Sequence, residues 1–263
     1  MTPAWDNSTF DTFADLPRAT GLMVASAVGG EGKTVIAAAI ARSLRSDGHD
    51  VEVFLPVATD CRTDRGGLIS DSADILAASA ESRQTLAEIS PVRLASSQAP
   101  AASAAIGGPA VDLGVVSDAW RRLADHAGCI VVEVPGGLAS PITDDFQTVD
   151  LAKAFALPVV LVVKAEPDAL ARAMLAVDVA NSHGLALAGC VLNYYTGDCA
   201  GDEPIDENLR SLPVVLERVA GLKTLALVPR DPANDVSAGR IARSTYFAID
   251  QVQWDQFWRQ AKR

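Results

Sequence analysis

Basic side chains are the scarce group in this sequence. Its 263 residues hold 22 Lys and Arg against 33 Asp and Glu, a net charge of −11. That excess of negative charge repels phosphate backbones and anionic lipid, which argues against nucleic acid and membrane surfaces as partners. A small anion needs a local site strong enough to overcome the field. Cysteine is also short. Cys61, Cys129, Cys190 and Cys199 form no CxxC pair, which removes zinc-finger readings and favours a reduced, cytoplasmic setting. Long hydrophobic runs are missing: the longest uncharged apolar stretch, 154–163, lies between Lys153 and Lys164, far short of the roughly 20 residues that span a bilayer. Asp6, Asp11 and Asp15 precede the first basic residue, Arg18, the reverse of a secretion signal. No internal repeat is present.

What remains is an alternation of strand and helix. Apolar runs at 22–27, 51–57, 129–134, 158–163, 187–192 and 224–228 read as strands buried on both faces. Helical periodicity intervenes at 34–46, 111–127, 149–156 and 168–182. The order predicts an α/β fold, a parallel sheet sandwiched between helices, as one domain over 21–263 after an amino-terminal extension, 1–20. The charge-poor segment 94–110 reads as a flexible surface loop. Residues 247–258, with Trp254 and Trp258, read as a helix packed on the core. His49, His126 and His183 each fall near a glycine at a helix end, where a donor or cation suits the last turn.

The densest chemical signal lies at residues 27–34, Ala-Val-Gly-Gly-Glu-Gly-Lys-Thr, between the first strand and the first helix. It matches GxxxxGK[ST] except for Ala27 at the leading position, and the fold expected is that of a P-loop NTPase. Gly29, Gly30 and Gly32 let main-chain N–H groups converge on phosphate oxygens, and the helix opening at Thr34 and Val35 adds its positive end. Lys33 is placed to reach the outer phosphates and Thr34 to ligate Mg²⁺. Glu133, closing the third predicted strand before Pro135-Gly136-Gly137, is a second metal candidate, and Asp74 a third. A nucleoside triphosphate and Mg²⁺ are the ligands this pattern implies.

Taken in order from about Gly21 to Pro229, these residues resemble dethiobiotin synthetase. The Gly32-Lys33-Thr34 turn is similar to that family's phosphate loop, Pro56-Val57-Ala58-Thr59 to its Lys-Pro-Val-Ala-Ser/Thr segment, and Ser72-Ala73-Asp74 to its Mg²⁺-binding aspartate segment. Ala99-Pro100 falls where the family has a substrate-contacting segment. Glu133-Val134-Pro135-Gly136-Gly137-Leu138 resembles its Glu-Gly-Ala-Gly-Gly motif, and Val191-Leu192-Asn193 a strand end whose asparagine contacts adenine. The resemblance implies an ATP- and Mg²⁺-dependent ligase in biotin biosynthesis. Such an enzyme carboxylates diaminopelargonic acid with CO₂, phosphorylates the carbamate and closes the ureido ring. It further implies a homodimer, Lys33 and Thr59 as catalytic groups, and Thr34, Asp74 and Glu133 on the metal. Thr59, Pro100, Gly136 and Gly137 would face substrate, and Asn193 and Pro229 the nucleotide.

Leu55 stands where that family has the lysine of Lys-Pro-Val, Gly30 replaces an acidic residue, and Val134-Pro135 alters the Gly-Ala pair. Arg62 and Arg65 are near enough in sequence to supply a cation. The loop 26–34 taken alone resembles another branch of the superfamily, the bacterial tyrosine kinases and the partition and division-site ATPases. Val28 occupies the signature-lysine position of the latter, and Tyr246 is the only tyrosine near the carboxy terminus. A second reading is therefore an ATP-binding switch or regulatory ATPase, or a synthetase paralogue without ligase chemistry.

Overall fold

The computed structural model describes residues 11–197 and 206–259; residues 1–10 of the expected extension and Cys199 lie outside them. In chain order the strands are β1 (Gly21–Ser26), β2 (Val51–Phe54), β3 (Val57–Ala58), β4 (Arg62–Asp64), β5 (Gly67–Ile69), β6 (Val92–Arg93), β7 (Cys129–Glu133), β8 (Val159–Lys164), β9 (Leu187–Asn193) and β10 (Thr224–Val228). The helices are α1 (Lys33–Ser46), α2 (Asp71–Ala80), α3 (Leu86–Ile89), α4 (Pro100–Ala105), α5 (Leu113–Ala124), α6 (Thr148–Phe155), α7 (Ala169–Ser182), α8 (Leu212–Ala220), α9 (Arg243–Asp250) and α10 (Gln256–Arg259).

Six strands form one parallel sheet in the order β10-β9-β8-β1-β7-β2. The Val- and Leu-rich strands have no polar face because helices cover both sides. One apolar cluster joins Phe54, Trp120, Val132, Phe155 and Leu161; the other joins Val24, Ile40, Val53, Leu76, Val131 and Trp254. β1 is central, and the chain leaves it toward β2 on one side before crossing to β8 on the other. That reversal opens a crevice at the carboxyl ends of the strands, where open α/β sheets place ligands.

Three local expectations change. The strand expected over 51–57 ends at Phe54. Pro56 has no N–H for the ladder, and the chain resumes as β3, which pairs with β6 instead of β7. The segment 94–110 contains a helix, α4, whose start is set by Pro100 at its first position. The single helix expected over 247–258 is two, α9 and α10, with Trp254 between them, buried and donating its indole N–H to Ile249 O at 2.9 Å. His183 follows the last turn of α7, its Nδ1 2.9 Å from Val179 O. Residues 11–20 pack onto the sheet's helices: Phe13 stacks on Phe146 with centroids 5.1 Å apart, and Trp120 Nε1 donates to Pro17 O at 3.1 Å. No helix among the described residues is long and apolar enough to cross a membrane.

Candidate functional site

β1 delivers the chain to the crevice at Ser26, and residues 27–32 wrap over its end before α1 begins. Two glycines make the wrap possible. Gly30 has φ 79° and Gly32 φ 87°, the left-handed region that side chains disfavour. Gly32 is also packed tightly: a Cβ there would lie 2.2 Å from Asn193 Nδ2. Gly29 and Gly30 are exposed at the tip. The first N–H groups of a helix have no partner within it, so the start of α1 through Thr34 and Val35 presents donors toward the crevice.

Lys33 folds back under this turn. Its Nζ donates to Gly136 O at 2.7 Å and to Ser26 Oγ at 3.1 Å. Burial pushes its pKa down, and the carboxylates of Glu133 and Glu31 oppose that shift. The Thr34 hydroxyl donates to Glu133 Oε1 at 2.7 Å, and Ser72 Oγ lies 3.3 Å from the same hydroxyl. Glu133 ends β7 beside Val24 of β1. Its Oε2 is buried and has no partner among the described residues. Burial raises the Glu133 pKa, against the lowering effect of Lys33 and of the Thr34 hydrogen bond. A hydroxyl and a carboxylate with one oxygen to spare form a donor set suited to a hard, oxygen-loving cation.

The other expected residues are distributed unevenly around this centre. Gly136 and Gly137 are against the turn: a Cβ on Gly137 would meet Ala27 O at 1.9 Å, and Leu138 N–H donates to Ser26 O at 2.9 Å. Pro100 is buried at the start of α4, where Ala101 N–H reaches Pro141 O at 3.3 Å, so α4 sits on the loop that follows Gly137. Thr59 is half-buried just after β3, and the next residue, Asp60, is tied to Ser96 O at 2.8 Å. Asp74 is half-buried on α2. Burial and the neighbouring Asp71 raise its pKa, and Arg62 lowers it. The hydrogen-bonding contact from α2 to Thr34 comes from Ser72, and two residues along a helix turn a side chain about 200° away. Among the described residues no three His, Cys, Asp or Glu side chains are grouped as a metal cage.

Leu55 is 4% exposed and belongs to the apolar cluster of Val53 and Leu76. Of the two nearby cations, Arg62 pairs with Asp71 at 2.8 Å on the exposed β4–β5 hairpin, and Arg65 sits at that hairpin's turn. Asn193 is also buried, 4% exposed, and its Nδ2 donates to Glu31 O at 2.8 Å. It seats the turn and does not line the neighbouring cavity of about 460 Å³. That cavity lies at the ends of β8, β9 and β10 and is bounded by Lys164, Glu166, Tyr194, Thr196, Asp206 and Arg230. Asn193 and Pro229 each precede one of its lining residues. A larger groove of about 690 Å³ lies at the opposite end of α1, beside Arg42, Arg45 and His49. There Arg45 is held by Glu81 and Asp50, and Arg42 lies over the Tyr246 ring, 4.8 Å from its centre.

Glu31 and Arg172 escaped the sequence reading. Glu31 is 1% exposed although it belongs to a glycine loop. Its carboxylate accepts from Arg172 Nη1 at 2.7 Å and from the Lys164 main-chain N–H. An acidic residue inside a phosphate turn was the available signal. Its partner, 141 positions away, has no local mark.

A family model described as an AAA domain matches residues 20–236. The ATP-dependent dethiobiotin synthetase BioD of Anaeromyxobacter dehalogenans is 35% identical over 217 residues, covering 81% of this chain and 91% of that one. The BioD of Bacillus subtilis subsp. natto is 28% identical, covering 76% and 82%. Among solved structures, the septum site-determining protein MinD of Pyrococcus horikoshii, complexed with Mg-ADP, superposes with a TM-score of 0.52 at 18% identity, over 89% of this chain and 93% of that one. That last likeness is one of fold. The chain thus belongs to the AAA domain family and, within it, to the dethiobiotin-synthetase-like P-loop ATPases.

Proposed function

We propose that the protein binds Mg²⁺–ATP at the 27–34 turn and acts as an ATP-dependent ligase of the dethiobiotin synthetase type. The observation that carries the nucleotide reading is the Thr34–Glu133 pair, with the second Glu133 oxygen buried and unpartnered. In this reading the N–H groups of Gly29, Gly30, Gly32, Lys33, Thr34 and Val35 hold the phosphates. Lys33 exchanges Gly136 O and Ser26 Oγ for phosphate oxygens and stabilises charge on the group transferred. Thr34 and Glu133 would hold Mg²⁺, which would neutralise phosphate charge, while Asp74 faces Asp71 and Arg62 and takes no part. The cavity beside Asn193 and Pro229 takes the base.

The substrates are a diamine such as diaminopelargonic acid and CO₂ or bicarbonate. The amine faces Thr59, Pro100, Gly136 and Gly137, and a homodimer is the working assembly. One nitrogen and CO₂ form a carbamate, which takes the γ-phosphoryl group of ATP. The second nitrogen then closes the ureido ring as phosphate leaves. The two dethiobiotin synthetase relatives support the ligase class.

One observation favours the second reading, an ATP-binding switch without ligase chemistry. Leu55 fills the core where a charge-stabilising lysine would serve the ligase. Losing one such group costs about 10²–10³ in rate. ATP hydrolysis measured with Mg²⁺ and bicarbonate, with and without diaminopelargonic acid, separates the two. Substrate-stimulated turnover with dethiobiotin formed is the ligase result. ATP binding without stimulation overturns it and leaves the switch.

A further inference from the structure

The phosphate turn and the wall of the neighbouring cavity are joined by one side chain. Arg172, on the first turn of α7, is mostly buried. It donates through Nη1 to Glu31 Oε1 at 2.7 Å, and through Nη2 to Lys164 O at 3.0 Å and Glu166 Oε2 at 3.3 Å. Asp168 Oδ1 lies 3.0 Å from the same Nη2. Glu31 is therefore fastened at three points, by Arg172 and the Lys164 N–H on its side chain and by Asn193 Nδ2 on its carbonyl oxygen. Lys164 and Glu166 are also walls of the 460 Å³ cavity, and the Lys164 ammonium lies 5.4 Å from the centre of the Tyr194 ring. A planar guanidinium with several fixed acceptors sets both distance and angle, which an ammonium on a flexible stem does not. Buried ion pairs contribute little net stability against apolar replacements, so the pair's contribution lies in fixed geometry.

We propose that Glu31 and Arg172 form a positioning pair that holds the phosphate turn in register with the base-side cavity. Affinity for a whole nucleotide then depends on two residues that do not touch it. The proposal rests on the nucleotide reading above. If the two half-sites are each intact but misaligned, a ligand spanning both loses affinity while a ligand using one does not.

The test compares wild type, Arg172→Met, Arg172→Lys and the double variant Glu31→Gln/Arg172→Met by calorimetry, with Mg²⁺–ATP and with Mg²⁺–tripolyphosphate as ligands. Arg172→Met leaves the Glu31 carboxylate buried with the Lys164 N–H but without its ion partner, so it lowers the melting temperature; the double variant removes that charge and recovers it. The expected result is ATP binding about tenfold or more weaker in both, tripolyphosphate binding near wild type, and partial rescue by Arg172→Lys. Unchanged ATP affinity overturns the proposal. So does ATP affinity that returns with the melting temperature in the double variant, or an equal loss for tripolyphosphate, since either marks a purely structural role. Failure of the wild type to bind ATP is a different result, and it defeats the nucleotide reading itself.

Discussion

The Thr34 hydroxyl donates to Glu133 Oε1 across 2.7 Å, joining the first turn of α1 to the end of β7 beneath the phosphate turn. The free oxygen of that carboxylate is held out of water without a partner. An unsatisfied buried acceptor costs stability, and a cation bound to it would offset that cost.

That cost has a pH signature. The folded-state pKa of Glu133 is raised by burial, so the native protein binds its proton more tightly than the unfolded chain does. Stability from this group is therefore greatest below the ordinary glutamate pKa and falls as pH rises through the window up to the raised value. Glu133→Gln should flatten that part of the stability–pH profile and leave the metal-free protein at least as stable near neutrality. It should also remove the extra stabilisation that Mg²⁺ adds to ATP. Thermal melts across pH, with and without Mg²⁺–ATP, measure both effects; a variant less stable at neutral pH that still responds to Mg²⁺ contradicts the assignment.

Gly137 is a steric test of the same centre. Its Cβ would sit 1.9 Å from Ala27 O, a main-chain atom of the phosphate turn. Gly137→Ala must displace the turn or the loop, at about 1–3 kcal/mol by analogy with overpacking. The melting temperature should fall, and ATP affinity should fall with it. Wild-type affinity for ATP in this variant would show that the turn tolerates displacement.

Leu55→Lys is the substitution that the family resemblance invites, because it restores the expected lysine. The position is 4% exposed and packed among apolar side chains. The variant loses a core leucine and buries an ammonium, so we expect destabilisation of about 3 kcal/mol and no gain in substrate-stimulated turnover. Chemical denaturation reads the first and the hydrolysis assay the second. A variant of normal stability with raised turnover would place this side chain in the crevice.

The buried strands and the phosphate turn were legible because each rests on local information: continuous Val and Leu runs, and glycines beside Gly32-Lys33-Thr34. The break of β2 was foreshadowed by Pro56, yet the pairing of β3 with β6 depends on a partner strand 35 positions away. Asn193 ends β9, where the apolar run already placed it, and its amide is occupied by the turn's own carbonyl. Glu31 is marked only as an acid inside the phosphate turn and Arg172 has no local mark, since their meeting is made by the placement of α7 beside that turn. Asp74 stands out by its acidic stretch and by the family resemblance, while helical phase puts Ser72 at the Thr34 hydroxyl.

The central claim is that Lys33 and its turn bind Mg²⁺–ATP, and ligand-induced thermal stabilisation of wild type and Lys33→Ala tests it most directly. A ligand at a hundredfold excess over its Kd stabilises the native state by roughly 2.7 kcal/mol, about 5–10 °C for a chain of this size. The account predicts a shift of that order in the wild type and none in Lys33→Ala, with both apo proteins folded. An equal shift in the two proteins, or none in either, would contradict it.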